Sequence, residues 1–282
     1  MAYHVYVSNA GSEWFSRFVF DEATGELAPA PDAALPGTPG AVATSADGAV
    51  MFVSLRSLRR FGSFAVDRLS GALAPIGTVP LEDGAPYVAV DRSGRFLLAA
   101  YYGSGHVSVH AIGPDGALSA QPLQWVATAP HAHSIQTDRA NRFAFVPHTN
   151  PPNAIYQFRF DAGLGGLLPN DPPRFVPATP EGPRHFVFHP TADLLYSVNE
   201  DNSTVTGHRF DPQRGTLQAL QTLSTLPAGG HPGNTTAEIA ISPDGRFLYA
   251  SNRGHDTLAV FKVERDGALS LRGHVPTEPT PR

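Results

Sequence analysis

The chain contains no cysteine, which excludes disulfides, thiolate metal sites and a cysteine nucleophile. Charged residues are scarce, at 16% against about 25% in ordinary usage. Lys and Arg number 20 and Asp and Glu 25, for a net charge of −5. The broad positive footprint of a nucleic-acid binder is therefore missing, and no nucleic-acid partner is expected. No apolar run reaches the roughly 18 residues of a membrane-spanning helix, so no membrane partner is expected either. The opening MAYHVYVSNAGSEW has no basic segment followed by an apolar stretch. It does not read as a signal peptide, and a cytoplasmic location is expected. Tryptophan occurs only at Trp14 and Trp125, neither of them before an aspartate, so the WD repeat signature is absent. So are a GxSxG elbow, an HExxH zinc motif and a GxGxxG dinucleotide loop.

What is abundant is punctuation. Gly (27) and Pro (27) together make about 19% of the 282 residues, against about 12% in ordinary usage. Hydrophobic residues reach 41%, enough for a core. Such a composition excludes a disordered chain and argues against a long helical bundle. It points to many short strands joined by turns.

A repeat organises these strands. SPDGRFLYASNRGHDTLAVFKVERDGAL (242–269) has counterparts beginning at Ser45, Asp91, Asp138 and His189, and the N-terminal segment is the same unit entered late. Marked at the turn residue, the copies fall at Ala2, Gly48, Gly94, Asn141, Ala192 and Gly245. The intervals are 46, 46, 47, 51 and 53 residues. Each copy reads as an apolar run, a turn, a second apolar strand, an alternating strand such as TLAVFKV, another turn and a last strand. Alternation with period two marks half-buried strands. Four strands in about 40–50 residues is the pattern of a β-propeller blade. The predicted fold is thus an all-β propeller, one domain over residues 1–282, with six repeats visible. The first unit lacks its innermost strand. Pro281-Arg282 matches the opening of a further unit, so a seventh blade is expected to be missing at the C-terminus.

In a propeller, the start of each first strand and the end of each second strand share one face. Eight residues after each marker stand Ala10, Arg56, Tyr102, Thr149, Glu200 and Arg253. Eight before stand Gly40, Pro86, His133, Arg184, Ala237 and Arg282, with His131, His185 and Glu238 beside them. Core-filling positions would be apolar in most copies, and these are mostly polar. Arg184, Arg253, Arg56 and Arg282 on a protein of negative charge suit a small anionic ligand, because guanidinium forks match carboxylate or phosphate. His131, His133, Glu200 and Glu238 add acid–base groups. Two other readings suit the same residues. Arg184, Glu200 and Arg253 could be an ion-pair belt bracing adjacent blades. His131-x-His133 could be half of a metal site, but zinc needs further ligands and none is in motif, so no metal is expected. His189, Asp91 and Asp138 fit turn positions that hydrogen-bond the backbone.

PHAHS (130–134), GPRHFVFHP (182–190), YSVNE (196–200), AEIAISPDGRFLYASNR (237–253) and the final PTEPTPR resemble the seven-bladed propeller lactonase family. It includes 6-phosphogluconolactonases and 3-carboxy-cis,cis-muconate lactonising enzymes. The resemblance runs through the whole chain in one register. It implies a catalytic set of His131, Arg184, Glu200 and Arg253, with Arg56, His133, His185, Glu238 and Arg282 as substrate-binding candidates. It implies no metal or organic cofactor, and a lactonase acting on an anionic sugar lactone in carbohydrate metabolism. The alternatives are a carboxymuconate cycloisomerase, which would use the same four residues, and a non-catalytic propeller that binds a partner.

Overall fold

A computed structural model describes residues 2–282; Met1 lies outside the described residues. Among them helix is confined to one short 3-10 turn, Arg56–Leu58. The strands form six antiparallel sheets in chain order. The first holds β1 (Ala2–Ser8), β2 (Trp14–Asp21) and β3 (Leu27–Ala34). The second holds β4 (Pro39–Thr44), β5 (Val50–Leu55), β6 (Arg60–Val66) and β7 (Leu73–Pro80). The third holds β8 (Tyr87–Val90), β9 (Phe96–Tyr101), β10 (His106–Ala111) and β11 (Gln124–Ala127). The fourth holds β12 (Gln136–Thr137), β13 (Phe143–His148), β14 (Ala154–Asp161) and β15 (Gly166–Phe175). The fifth holds β16 (Pro183–Phe188), β17 (Leu194–Asn199), β18 (Thr204–Asp211) and β19 (Thr216–Ser224). The sixth holds β20 (Thr235–Ile241), β21 (Phe247–Arg253), β22 (Thr257–Val263) and β23 (Leu269–Pro276). The six repeats are these six sheets, and the first has three strands where the others have four.

The turn between the first two strands of a sheet is made by one device with changing chemistry. A side chain at the end of the first strand accepts the N–H that opens the second, which fixes the hairpin register. Ser45 Oγ takes Val50 N–H at 2.9 Å and Ser242 Oγ takes Phe247 N–H at 3.0 Å. Asp91 Oδ1 takes Phe96 N–H at 2.9 Å and Asp138 Oδ1 takes Phe143 N–H at 2.7 Å. In the fifth sheet His189 Nδ1 does related work, accepting Ala192 N–H at 2.9 Å. Gly48, Gly94 and Gly245 turn the chain with φ between 68° and 74°. Asn141 does the same at φ 56°, as the residue best suited to that region after glycine.

The chain divides into two compact units. One holds the residues through Ala127 together with Ala162–Gly166, and so contains the first three sheets. The other holds Thr128–Asp161 and Leu167–Arg282, and so contains the last three, apart from the tip of the β14–β15 hairpin. In the first unit Phe52, Phe61, Leu97 and Tyr101 fill the space between neighbouring sheets. In the second, Phe143, Phe145, Phe186, Phe188 and Phe210 form an aromatic core. Phe145 meets Phe186, Phe188 and Phe210 edge-on, with centroids 5.7–6.3 Å apart. Phe145→Ala should lower the unfolding free energy by about 3–5 kcal/mol, read by urea denaturation. A loss below about 1 kcal/mol would mean that the surrounding rings collapse into the space.

Candidate active site

The polar residues of the second unit converge because of two irregularities in its innermost strands. The β16–β17 register shifts between Pro183 and His185, and the β20–β21 register shifts between Thr236 and Ile239. A bulge inserts an unpaired residue and re-aims side chains. Here the shifted positions are those of Arg184 and of Ala237-Glu238. The returning strands β17 and β21 end at Asn199 and Arg253, which brings Glu200 and Arg253 beside them.

Glu200 is held between two guanidinium groups. Arg253 Nη2 donates to Glu200 Oε1 at 2.5 Å, and Arg184 Nε lies 3.3 Å from Glu200 Oε2. Arg253 Nη2 also donates to Thr236 O at 2.9 Å, and Arg184 Nη1 to Ala237 O at 2.5 Å. Arg184 is only 7% exposed. Its 3.3 Å approach to Glu200 is an ion pair without hydrogen-bond alignment, and the Nε atom of Arg253 is likewise buried without a hydrogen-bond acceptor. Desolvation lowers the Arg184 pKa to about 10, against the pull of Glu200 and with the push of Arg253. It remains a cation at neutral pH. Two guanidinium groups and one carboxylate leave one net positive charge.

Next to this network runs a hydrogen-bonded chain through three sheets. The Glu238 carboxylate accepts from His185 Nδ1 at 3.0 and 3.1 Å, and His185 Nε2 is 3.1 Å from His133 Nδ1. A carboxylate can only accept, so His185 carries its proton on Nδ1 and presents a lone pair at Nε2. His133 Nδ1–H then donates to it. Burial first, then the charge of Arg184, pushes His133 down to about 2. Burial likewise lowers His185 despite its carboxylate partner. Both rings are neutral at pH 7, so His185–Glu238 is a charge-assisted hydrogen bond and not an ion pair. Glu238 is pulled down by that bond and by the Ile239 N–H, against a desolvation that acts upward.

His131 stands in the left-handed region, with φ 67°, a backbone state that a non-glycine residue holds only when its surroundings enforce it. Its Nδ1 bonds to Pro151 O at 2.9 Å. A carbonyl only accepts, so Nδ1 carries the proton of that bond. Its neighbour is Asp201, which shares an electrostatic interaction with it. Burial and then the adjacent Glu200 charge raise Asp201, while the Asn150 N–H and His131 act downward. Asp201 follows Glu200 in the chain, so His131 is coupled by charge to the residue next to the arginine network. Gly182 makes this turn possible. Its φ is 68°, and a Cβ there would land on the Asp201 carboxylate.

Two acidic residues near the site escaped the repeat count. Asp201 could have been found, since it follows Glu200 directly. Glu181 is 8% exposed and accepts from Asn199 Nδ2 and Thr206 Oγ1, both at 3.1 Å. It braces the strand end that carries Glu200, and nothing in its spacing marks it. Arg282 lies in the irregular segment after β23, and its charge is felt at Arg184. Arg56 belongs to the first unit, in the short 3-10 turn.

Buried neutral histidines set a pH dependence of stability. Burial pushes His208 down to about 3 and His148 to about 4. With His133 these fall below the ordinary value of about 6.5. The unfolded chain therefore binds more protons than the fold as pH drops below about 6.5, and stability falls in that direction. Each such group should cost about 1–2 kcal/mol between pH 7 and pH 5. Urea denaturation at the two pH values measures it. His208→Gln should flatten the difference, and an unchanged slope would mean that His208 is charged in the fold.

The sequence profile of the family described as "Lactonase, 7-bladed beta-propeller" matches residues 3–282. The chain belongs to this family. A 6-phosphogluconolactonase of Pectobacterium carotovorum subsp. carotovorum is 36% identical over 234 residues, which is 82% of this chain and 69% of the relative. One from Yersinia pseudotuberculosis is 32% identical over 279 residues, 99% of this chain and 82% of the relative. Among solved structures, the periplasmic gluconolactonase of Pseudomonas aeruginosa superposes with a TM-score of 0.89 at 27% identity, covering 100% of this chain and 85% of that one. The all-β propeller class is therefore established for this lactonase-family chain. No helix among its described residues is long and apolar enough to cross a membrane.

Proposed function

We propose that this chain is a lactone hydrolase that opens an anionic sugar lactone, a 6-phosphogluconolactonase in the carbohydrate metabolism of the cytoplasm. The relatives' names support the reaction class, and the Arg184–Glu200–Arg253 network carries the reading. Its two guanidinium groups share one carboxylate, and the net positive charge left over suits an incoming anion. Arg184 and Arg253 hold the substrate anion and the negative charge that grows on the carbonyl oxygen. Glu200 fixes both guanidinium groups before substrate arrives, so little reorganisation is needed. Water is the nucleophile, and no cofactor is called for.

His131 Nε2 takes the proton as the water oxygen bonds to the carbonyl carbon. Collapse of the tetrahedral intermediate breaks the ring C–O bond. The same imidazole returns its proton to the departing ring oxygen, and the product acid releases a proton to solvent. His133, Glu238 and Arg282 border this set and contact the polar groups of the substrate, while His185, with both ring nitrogens spent, holds His133 and Glu238 in place.

The assay is proton release at constant pH, with the spontaneous rate subtracted. Faster opening of 6-phosphogluconolactone than of gluconolactone is expected, because only the former brings the second anion for the arginines. Equal rates would remove the phosphate from the reading. Loss of a carboxymuconate chromophore without lactone opening would replace hydrolysis with cycloisomerisation.

A further inference from the structure

In the second to sixth sheets the turn between the second and third strands passes through one residue in the left-handed region. These residues are Arg59, Gly105, Asn153, Ser203 and Asp256, with φ between 52° and 68°. In the fourth sheet the residue is an asparagine, which holds that region at less cost than most side chains. Its amide is engaged at both ends. Oδ1 accepts the N–H groups of Glu181 and Gly182, both at 2.9 Å, and Nδ2 donates to Thr179 O at 2.9 Å. Asn153 N–H closes the turn on Thr149 O at 3.2 Å. The turn itself needs none of the three side-chain bonds. They reach out of the hairpin to the segment that leads into the fifth sheet.

That segment holds Glu200. Gly182 O accepts Glu200 N–H at 2.7 Å, and Glu181 O accepts Asp201 N–H at 3.1 Å. The Glu181-Gly182 pair is thus gripped from two sides, its N–H groups by Asn153 and its carbonyls by the Glu200-Asp201 backbone. The same turn holds His131. Pro151 O bonds to His131 Nδ1 at 2.9 Å, and Thr149 N–H donates to His131 O at 3.3 Å. Asn150 N–H donates to Asp201 Oδ2 at 3.2 Å. Asn153 therefore sits where two sets of contacts meet. The turn it closes carries the imidazole, and its side chain carries the strand end of the carboxylate. All of these residues belong to the second compact unit. The bond made by one ring nitrogen fixes the proton on a histidine and the direction of the other nitrogen. A turn that shifted on the Glu181-Gly182 segment would move Pro151 O, and the His131 ring with it.

We propose that Asn153 is a positioning residue, whose side chain locks the His131 ring in register with Glu200. The inference rests on the proposed function, in which His131 is the base, and one of its two readouts works without turnover so that the two fail separately. Long-range proton–nitrogen NMR of the full chain shows which nitrogen of the His131 ring carries the proton, and steady-state kinetics gives kcat and KM. Asn153→Gly removes the amide and leaves the left-handed turn open to the backbone. Asn153→Ser does the same with the residue that the fifth sheet uses at this place, Ser203, and guards against a glycine variant that does not fold. In both, the His131 ring should lose its fixed Nδ1–H form. Their kcat should fall at least about tenfold, as for a misplaced catalytic group, with KM within about threefold of the wild type. In a His131→Ala background the same changes should cost less than about threefold, because no ring is left to position. Asn153→Asp keeps an acceptor for both N–H groups, so it should retain the Nδ1–H form and at least about a third of kcat. A ring that keeps the Nδ1–H form in the glycine and serine variants would overturn the proposal and leave the proposed function standing. So would an equal loss of kcat with and without His131, or an aspartate variant as impaired as the glycine one. A ring released while kcat stays at the wild-type value would support the positioning and remove His131 as the base.

Discussion

Replacing Arg184 or Arg253 with alanine should lower kcat/KM for the lactone by about 30-fold to several thousand-fold. That range is about 2–5 kcal/mol, the usual cost of removing one partner of a desolvated charge pair. Arg184 should stand at the upper end, since at 7% exposure little water can replace it. Lysine at either position should rescue only in part, because an ammonium cannot form the planar fork that reaches Glu200 and an anion together. The ion-pair belt reading gives a different pattern. A belt would lower the thermal midpoint of both variants and leave kcat/KM as in the wild type. Steady-state kinetics and a thermal melt on the same samples decide between them.

His131→Ala should cost about 10²–10⁴-fold in rate, the ordinary range for a positioned general base. The loss should fall on kcat more than on KM, since the imidazole acts on water and not on the substrate anion. Glu200→Gln should behave differently. It keeps the shape of the side chain but removes the charge that aligns the two guanidinium groups, so KM and kcat should both suffer. Equal kcat for His131→Ala and wild type would take this histidine out of the mechanism and pass the role of base to Glu200.

Much of this was legible in the residues. The turn positions at Ser45, Asp91, Asp138, His189 and Ser242 are spaced as the repeat requires, and each holds a side chain that accepts a backbone N–H. Position along the strand also marks Arg184, Glu200 and Arg253, because side chains at strand ends inherit the regularity of the sheet. What escaped depends on departures from that regularity. The shift between Thr236 and Ile239 gives Glu238, named from the sequence as a neighbour of the counted Ala237, the contact with His185 that a uniform count cannot assign. The His133–His185 bond joins residues 52 apart in neighbouring sheets, and only their packing reveals which ring nitrogen donates. Glu181 carries no pattern at all, since its significance lies in what surrounds it.

A crystal of the full chain soaked with 6-phosphogluconate, the product-like anion, tests the central claim most directly. The expected result is an anionic group within hydrogen-bond distance of the guanidinium groups of Arg184 and Arg253, with the carboxylate end of the ligand towards His131 and Glu200 still bridging the two guanidinium groups. An anion bound elsewhere, with both arginines still engaged only by Glu200 and the carbonyls of Thr236 and Ala237, would contradict it.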